Sequence, residues 1–351
     1  MEDILMKKTN GMNRRQFMLT SLAASAGLVA GANGFSQNTQ VKKSDMKVGL
    51  YGITLLGIWF RGKASTLEEQ IKIAKKLGYD GVEIEGKRPH GNPLDWPTKR
   101  CKELRVVADN EGIPIYGVAA NNDFSSPIPE FREAQIAYVK DLIRMTADMG
   151  GKTIRIFLAW PGITKHPQLA QYEVAKDIWK YTHAKFSEEE TWGWCRDGVA
   201  ECTKYAEDTG VILALQNHVP VIHDYRDVLK MVNEVNSAYL KVSLDVWALD
   251  EKTPEYIQTA ASAVGNLQVL SHYGDDIYDR EADGKVNGAK YYKYFIGAMH
   301  EIGFTGYLGY ELCHPLPVEN GQTVGIEYAQ RKAQEACEFM KRMIKETARV
   351  Q

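Results

Sequence analysis

The sequence has few of the features that assign a chain to a metal-cluster, disulfide-rich or nucleotide-binding class. It has five cysteines in 351 residues and no CxxC pair, which argues against a zinc site built from thiolates and against a disulfide framework. We expect these cysteines to be small core residues. No glycine-rich fingerprint follows a strand-like run, so neither a nucleotide nor a phosphorylated sugar is specifically indicated.

An excess of charge of either sign is also missing. The formal net charge is −2, with 43 Lys and Arg against 45 Asp and Glu, and the two signs are interspersed along the chain. Such a distribution predicts no basic surface for nucleic acid and no polybasic patch for an anionic membrane. We therefore expect a small molecule, not a nucleic acid, as the partner.

Long apolar runs are absent as well, and the nearest to one is Leu19–Ala32, which is short and rich in Ala, Gly and Ser. A bilayer span needs about 20 strongly apolar residues. Because Arg14 and Arg15 precede this run and Ala30-Gly31-Ala32 closes it, residues 1–36 are predicted to hold a signal peptide and the start of a linker. An amphipathic anchor is the alternative.

The residues after the arginine pair, Gln16-Phe17-Met18, give the leader a resemblance to the twin-arginine export motif, although Asn13 stands where Ser or Thr is usual. This resemblance implies a periplasmic or otherwise exported protein, with no stable membrane insertion after cleavage. Twin-arginine export carries folded proteins, so a metal could be loaded before export.

From residue 37 to 351, strand-like and helix-like segments alternate, which predicts a single α/β domain with a parallel sheet. Eight of each can be counted, and that number predicts a (β/α)8 TIM barrel. A polar and aromatic stretch, Ala159–Glu190, is expected to be a long loop. The predicted strands are Lys47–Tyr51, Gly81–Glu85, Ile113–Ala119, Thr153–Leu158, Val211–His218, Lys241–Asp245, Leu267–His272 and Gly306–Leu312.

Four successive predicted strands end in a side chain that can bind a metal, namely Gln216, Asp245, His272 and Glu311. The carboxyl ends of barrel strands carry the chemistry of such folds, so we expect these side chains to converge. Oxygen donors with one imidazole suit Mn²⁺, Mg²⁺, Co²⁺ or Zn²⁺. A cation there can stabilise an enediolate formed by removal of a proton beside a carbonyl. Strand-end caps and salt bridges are the alternative interpretation.

The same rule selects further candidates at strand ends and in the loops that follow them. Glu311, His218 and Glu85 are candidates for proton transfer. Arg155 is expected to bind a substrate oxygen or to pair with Glu83, and Trp160 to form part of an aromatic wall or lid facing a sugar. The predicted substrate-binding residues are His90, Arg155, Asn121, Trp160 and His314.

The order of strand-end motifs, (Glu or Gln)-Asn-His, Asp, His and Glu, resembles the xylose-isomerase-like barrel superfamily. The resemblance runs from GVEIEG at residues 81–86 to GYELCHP at residues 309–315. That superfamily includes sugar epimerases, inosose isomerases and dehydratases, hydroxypyruvate isomerases and endonuclease IV. The resemblance implies that Gln216, Asp245, His272 and Glu311 are the ligands of a divalent metal. It implies a metal-dependent sugar isomerase or epimerase.

A DNA-repair role is not expected, because endonuclease IV uses several additional histidines. Only eight histidines occur here, and Ala248 stands three residues after Asp245, where that enzyme has a histidine. The sugar enzymes of the superfamily therefore remain as the expected class.

One departure from the superfamily pattern bears on the reaction. Its epimerases usually have Glu on the fifth strand as one of two proton-transferring carboxylates, whereas Gln216 cannot take up a proton. Glu311 remains as the base, with His218, His90 or Glu85 as the acid. One base and one acid also fit β-elimination from an oxidised sugar such as a 3-keto-glycoside. A barrel that binds sugar without catalysis is the third possibility.

Overall fold

The computed structural model describes residues 45–165, 170–277 and 289–348. Eight parallel strands in these ranges pair in chain order and close into a barrel, which confirms the predicted TIM barrel. The signal peptide predicted over residues 1–36 lies outside the described residues. The barrel strands, labelled β1 to β8, are Lys47–Tyr51, Gly81–Glu85, Ile115–Ala119, Thr153–Ile156, Ile212–Gln216, Leu240–Ser243, Gln268–Tyr273 and Tyr307–Tyr310.

Helices follow the strands and cover the outside of the barrel. The first shows why the chain folds this way locally, since Thr66 and Glu69 form a capping box at its start and Gly78, at φ 83°, ends it. The α-helices, labelled α1 to α9, are Leu67–Leu77, Thr98–Glu111, Pro129–Asp148, Tyr172–His183, Glu188–Thr209, Tyr225–Val235, Pro254–Val264, Ala289–Glu301 and Ile326–Thr347.

Helix α4, Tyr172–His183, corrects the prediction of a loop over residues 159–190. This helix and a short antiparallel pairing of Thr164–Lys165 with Ala170–Gln171 lie between β4 and α5. Its apolar residues Val174, Ile178 and Tyr181 are exposed. These three residues are spaced i, i+4 and i+7, so the segment has a helical apolar stripe, but the stripe faces away from the core.

Aromatic and small residues fill the interior of the barrel. The ring of Tyr116 stacks on that of Tyr307 with centroids 3.9 Å apart, and Gly49 and Gly309 leave room for it. A Cβ at Gly309 would lie 2.9 Å from the Tyr116 hydroxyl and 3.0 Å from Cδ2 of His272. The absence of a side chain at Gly309 therefore lets His272 lie flat against strand β8.

The five cysteines are free thiols. Four of them are buried in the core, as expected, whereas Cys313 lines the mouth of the barrel. Within the described ranges, no helix combines the length and apolar character needed to cross a bilayer.

Candidate active site

A cavity of about 280 Å³ opens at the carboxyl ends of the barrel strands. Its position is the one at which TIM barrels bind their substrates. Among the predicted site residues, Glu311, His218, Arg155, Asn121, Trp160 and Gln216 line it. The other described lining residues are Tyr51, Ile53, Lys87, Phe157, Ile163, Tyr172, Lys176, Val219, Trp247 and Cys313.

Glu85 lies beneath the cavity, fully buried and surrounded by donors. The hydroxyl of Tyr51 donates to its Oε2, the amide of Asn121 donates to its Oε1, and Lys87 Nζ lies 3.3 Å from Oε1. Burial alone would raise the pKa of Glu85, but Lys87 and the Tyr51 hydrogen bond lower it below its ordinary value. This carboxylate stays charged and bonded, so its position suits a counter-ion better than the proton carrier predicted from sequence.

Arg155 reaches from β4 to both sides of the barrel mouth. Its Nη1 donates to Oε1 of Gln216 at 3.0 Å, and its Nη2 donates to the Tyr51 hydroxyl at 2.9 Å. Burial lowers the pKa of Arg155, but its surroundings, led by Tyr51 and including the carboxylates of Glu83 and Glu311, raise it above its ordinary value. The guanidinium is therefore a permanent positive charge within the cluster of carboxylates.

The amide of Gln216 is bound at both ends. Its oxygen accepts from Arg155, and its nitrogen donates to Oδ2 of Asp245. Turning the amide over would set its NH₂ group against the guanidinium and its oxygen against a carboxylate, so the neighbours select one orientation. In this arrangement the single oxygen of Gln216 is directed at Arg155, with one of its two acceptor sites occupied.

Asp245 and His272 form a buried pair at the ends of β6 and β7. His272 Nδ1 lies 3.6 Å from Asp245 Oδ2, and His272 Nε2 lies 2.7 Å from Glu83 Oε2. The backbone N–H of His272 donates to Asp245 Oδ1 at 2.7 Å. Burial lowers the pKa of His272, but Glu83 and Asp245 outweigh it and raise that pKa to about 10.

Two of the four predicted metal ligands fit a divalent cation. Nδ1 of His272 is buried without a hydrogen-bond partner and faces Asp245, while Glu83 on Nε2 orients the ring as a carboxylate behind a metal-binding histidine does. The amide of Gln216 is instead turned towards Arg155 and Asp245. Across the part of the chain that the structure describes, no group of three His, Cys, Asp or Glu converges on one point.

Glu311 directly follows β8 and lines the cavity. The residue as a whole is 8% exposed. Burial raises its pKa to about 7; nearby His272 and Arg155 limit the rise, and Asp245 and Glu83 add to it. A carboxyl group with this pKa accepts and releases a proton near neutral pH, which is the property of a general base.

His218 contacts the aromatic wall of the cavity. Its ring meets Phe157 and Trp160 edge to face, with centroids 4.8 and 5.1 Å apart, and its Nδ1 lies against the carbonyl of Val219. Burial lowers the pKa of His218 to about 4. The imidazole is therefore neutral near pH 7, and it suits an acceptor of a substrate hydroxyl better than the predicted acid.

Two predicted substrate-binding histidines lie elsewhere. His90 is buried below the loop after β2, where its Nε2 bonds the Ser65 carbonyl at 2.9 Å. His314 is half-exposed and its Nε2 lies 3.2 Å from Asp275 Oδ2. Neither lines the cavity, because the chain turns away from the barrel axis before His314 and folds His90 inward.

Tyr51 and Trp247 are two of the lining residues that sequence reasoning missed. Tyr51 is the last residue of β1, so the strand-end rule applied to the other strands would have found it. Trp247 follows Asp245 in a short 3₁₀ turn, Val246–Ala248, and nothing in its local pattern distinguishes it from a core aromatic.

Comparison with known proteins agrees with the geometry. The chain is 23% identical over 257 residues to fructoselysine 3-epimerase of Shigella flexneri, covering 70% of this chain and 83% of that protein. It is 24% identical over 277 residues to D-psicose 3-epimerase of Ruminiclostridium cellulolyticum, covering 74% and 82%. These relatives are carbohydrate epimerases.

Solved structures show the same fold. D-psicose 3-epimerase from Clostridium cellulolyticum H10, solved with D-tagatose, superposes with a TM-score of 0.62 at 21% identity over 85% of this chain and 99% of that one. The 3-keto-D-glucoside 4-epimerase of E. coli gives 0.60 at 16% identity over 86% and 99%. Residues 71–343 match the family described as xylose isomerase-like TIM barrel. The chain belongs to this family.

Proposed function

We propose that this protein is a carbohydrate isomerase or epimerase that removes a proton from the carbon beside a carbonyl group. The sugar epimerases among its relatives support the class of substrate. The position of Glu311 supports the type of reaction. Among the described residues that line the cavity, Glu311 is the sole carboxylate, and its pKa of about 7 suits proton transfer.

The residues around Glu311 hold the substrate. Arg155 and Lys87 line the cavity as hydrogen-bond donors for the carbonyl and hydroxyl oxygens of a sugar. Phe157, Trp160 and Trp247 supply apolar surface for the C–H face of a sugar ring and exclude water from the reacting carbon.

A divalent cation would be held by Asp245 and His272, with Glu311 as the third ligand implied by the resemblance to the superfamily. It would supply positive charge that stabilises the oxygen of the carbonyl as the proton leaves. Glu83 fixes the tautomer and the ring orientation of His272. In this arrangement the Gln216 amide oxygen accepts a hydrogen bond from Arg155 and is not assigned to the cation.

Elimination is the second candidate, and a specific observation favours it. Gln216 cannot carry a proton, and Glu85 is held as a charged counter-ion by Tyr51, Asn121 and Lys87. The described cavity therefore offers one carboxylate base and several fixed donors. Loss of a substituent from an oxidised glycoside needs one base and one donor for the leaving group, whereas epimerisation by two carboxylates needs a second base.

Incubation with candidate keto-sugars in D₂O tests the proposal. We expect Mn²⁺-supplemented enzyme to place solvent deuterium into D-fructose, D-tagatose or a 3-keto-glucoside, as read by mass spectrometry. Deuterium in a sugar of unchanged composition indicates isomerisation, and release of an alcohol indicates elimination. Glu311→Gln should slow either reaction by about 10²–10⁴-fold, whereas Glu319→Gln, at an exposed position, should not.

Full activity in Glu311→Gln would contradict the assigned base. If no deuterium enters any of these sugars and no alcohol is released, the result favours a barrel that binds sugar without catalysis.

A further inference from the structure

A second cavity of about 250 Å³ adjoins the one that contains Glu311. Five residues line both cavities: Trp160, Tyr172, Lys176, His218 and Val219. A ligand whose reacting part lies beside Glu311 can therefore extend past Trp160 into the second space. The residues that line the second cavity but not the first are Pro161, Gly162, Trp179, Lys180, Pro220 and His223. The last four also line a larger groove beside the second cavity.

The second cavity presents flat, apolar surfaces whose positions are set by contacts within the protein. Trp160 meets Tyr172 edge to face with centroids 5.8 Å apart. Trp179 stacks on His183 at 4.0 Å, and its indole Nε1 donates to Ser125 Oγ at 2.9 Å. Because these partners hold Trp179 before any ligand arrives, little side-chain entropy is lost when a ring packs against it. Surfaces of this kind suit the face of a pyranose or aryl ring.

The charge around this cavity restricts the ligand further. Its described lining residues include Lys176 and Lys180 and no carboxylate. A ring that is neutral or negatively charged is compatible with these lysines, and a positively charged one is disfavoured. Helix α4 supplies Tyr172, Lys176, Trp179 and Lys180, so one inserted element provides much of the wall.

We propose that the substrate is a keto-glycoside, with the carbonyl on its sugar ring, whose aglycone is a neutral or anionic ring, and that this aglycone ring binds between Trp160 and Trp179. The inference depends on the proposed function, because it places the reacting sugar beside Glu311. The alternative is that the second cavity is a solvent-filled groove with no part in binding. The two interpretations differ in whether a second ring on the ligand raises its affinity for the protein.

Isothermal titration calorimetry with methyl, phenyl and 4-carboxyphenyl pyranosides of glucose and galactose, in both anomers, separates them. We expect at least one phenyl pyranoside to bind wild-type protein tenfold or more tightly than its methyl counterpart. Trp179→Ala should reduce that preference to twofold or less. Equal affinities in the wild type, a preference that survives Trp179→Ala, or no binding of any pyranoside would overturn the proposal.

Lys180→Glu provides a second test at an exposed position, should Trp179→Ala not fold. Its affinity for the 4-carboxyphenyl pyranoside should fall at least threefold relative to the phenyl pyranoside, and an unchanged ratio would contradict an aglycone site at α4. Tyr181→Ala is the matched control, since Tyr181 lies on the same helix, is 82% exposed and lines neither cavity. It should bind like the wild type.

The titrations are repeated with Glu311→Gln, which separates binding from chemistry. A preference for phenyl pyranosides that persists there, without deuterium exchange in the wild type, would contradict the proposed reaction and keep the aglycone site. Deuterium exchange without the preference for phenyl pyranosides would support the proposed reaction and contradict the aglycone site.

Discussion

Arg155 Nη1 donates a hydrogen bond of 3.0 Å to Oε1 of Gln216, and the other end of the same amide donates to Asp245. An amide has one acceptor oxygen, whereas a carboxylate has two. The glutamine that stands where the superfamily usually has glutamate therefore binds Arg155 and Asp245 through the two ends of its amide. In the proposed site, Asp245 and His272 are the pair that would hold a metal.

Metal content should distinguish these roles. We expect purified wild-type protein, loaded with Mn²⁺ and then dialysed, to retain about one metal per chain by elemental analysis. Asp245→Ala and His272→Ala should lose it, because each removes a donor atom. Gln216→Ala should retain it, because the amide oxygen is already bound by Arg155. Loss of metal in Gln216→Ala would show that Gln216 is a ligand, and absence of metal from folded wild type would contradict a metal site.

Gln216→Glu is the variant to compare with Gln216→Ala. One glutamate oxygen would accept from Arg155, and the other would face Asp245 Oδ2 as a like charge. A cation between them removes this repulsion, so we expect Mn²⁺ affinity to rise about tenfold, which corresponds to 1.4 kcal/mol. Calorimetry measures the change, and an unchanged or weaker affinity would contradict the arrangement.

Gly309→Ala should disturb the site by crowding the ring of His272. Its new Cβ would lie 3.0 Å from His272 Cδ2 and 2.9 Å from the Tyr116 hydroxyl, so the imidazole must shift away from Glu83. Loss of such a supporting contact costs about 10–100-fold in metal affinity, and the crowding costs about 1–3 kcal/mol of unfolding free energy. Mn²⁺ titration and urea unfolding measure the two effects.

Gly297→Ala is the matched control for that substitution. Gly297 lies within helix α8 and a Cβ there would meet nothing within 4 Å. Alanine is favoured over glycine inside a helix by about 0.5–1 kcal/mol, so this variant should be as stable as the wild type or more so. Equal effects of the two substitutions would contradict the role given to Gly309.

Tyr51→Phe should destabilise the protein without changing its shape. The hydroxyl accepts from Arg155 and donates to Glu85, so its removal leaves two buried charged groups each short of one partner. Such a loss costs about 1–3 kcal/mol, measured by urea unfolding. Tyr181→Phe removes an exposed hydroxyl and should change the unfolding free energy by less than about 0.5 kcal/mol. An equally small effect at Tyr51 would contradict the network.

His90 should make stability depend on pH below neutrality. Burial lowers its pKa to about 4 in the folded protein, whereas an unfolded histidine titrates near 6.5. Below about pH 6.5 the unfolded chain therefore binds a proton that the folded chain does not, and stability falls as pH falls towards 4. Between pH 7 and 5 this amounts to about 2 kcal/mol.

Urea unfolding at the two pH values tests this contribution. His90→Gln should show a smaller loss of stability than the wild type, because it has no group to protonate. His223→Gln, at an exposed histidine, should keep the wild-type difference. An unchanged pH dependence in His90→Gln would rule out His90 as its source.

The barrel could be predicted from sequence because its strands and helices have strong local patterns. Strands Lys47–Tyr51 and Gly81–Glu85 were predicted with the bounds that the structure has. Helix α4 was not predicted, although Val174, Ile178 and Tyr181 have helical spacing. That this apolar stripe faces outward depends on the fold, and local sequence does not encode it.

For the site, the sequence predicted only that functional side chains lie at the ends of strands. Gln216 and Glu311 line the cavity as the strand-end rule predicts, but the rule cannot show which partners each one has. The three donors that surround Glu85 come from three separate segments, and their effect on its charge depends on the fold. His90 and His314 follow strands in sequence, yet the paths of their loops take both away from the cavity.

The insertion of helix α4 between β4 and α5 divides the wall of the cavity into two parts. The proton transfer that we propose depends on residues at the ends of barrel strands, whose spacing the closed sheet holds constant. Much of the outer wall of the cavity belongs to one helix that completes no part of the barrel. Changes to α4 can therefore alter which sugars enter while the reacting groups stay in place, so relatives that share the chemistry need not share a substrate.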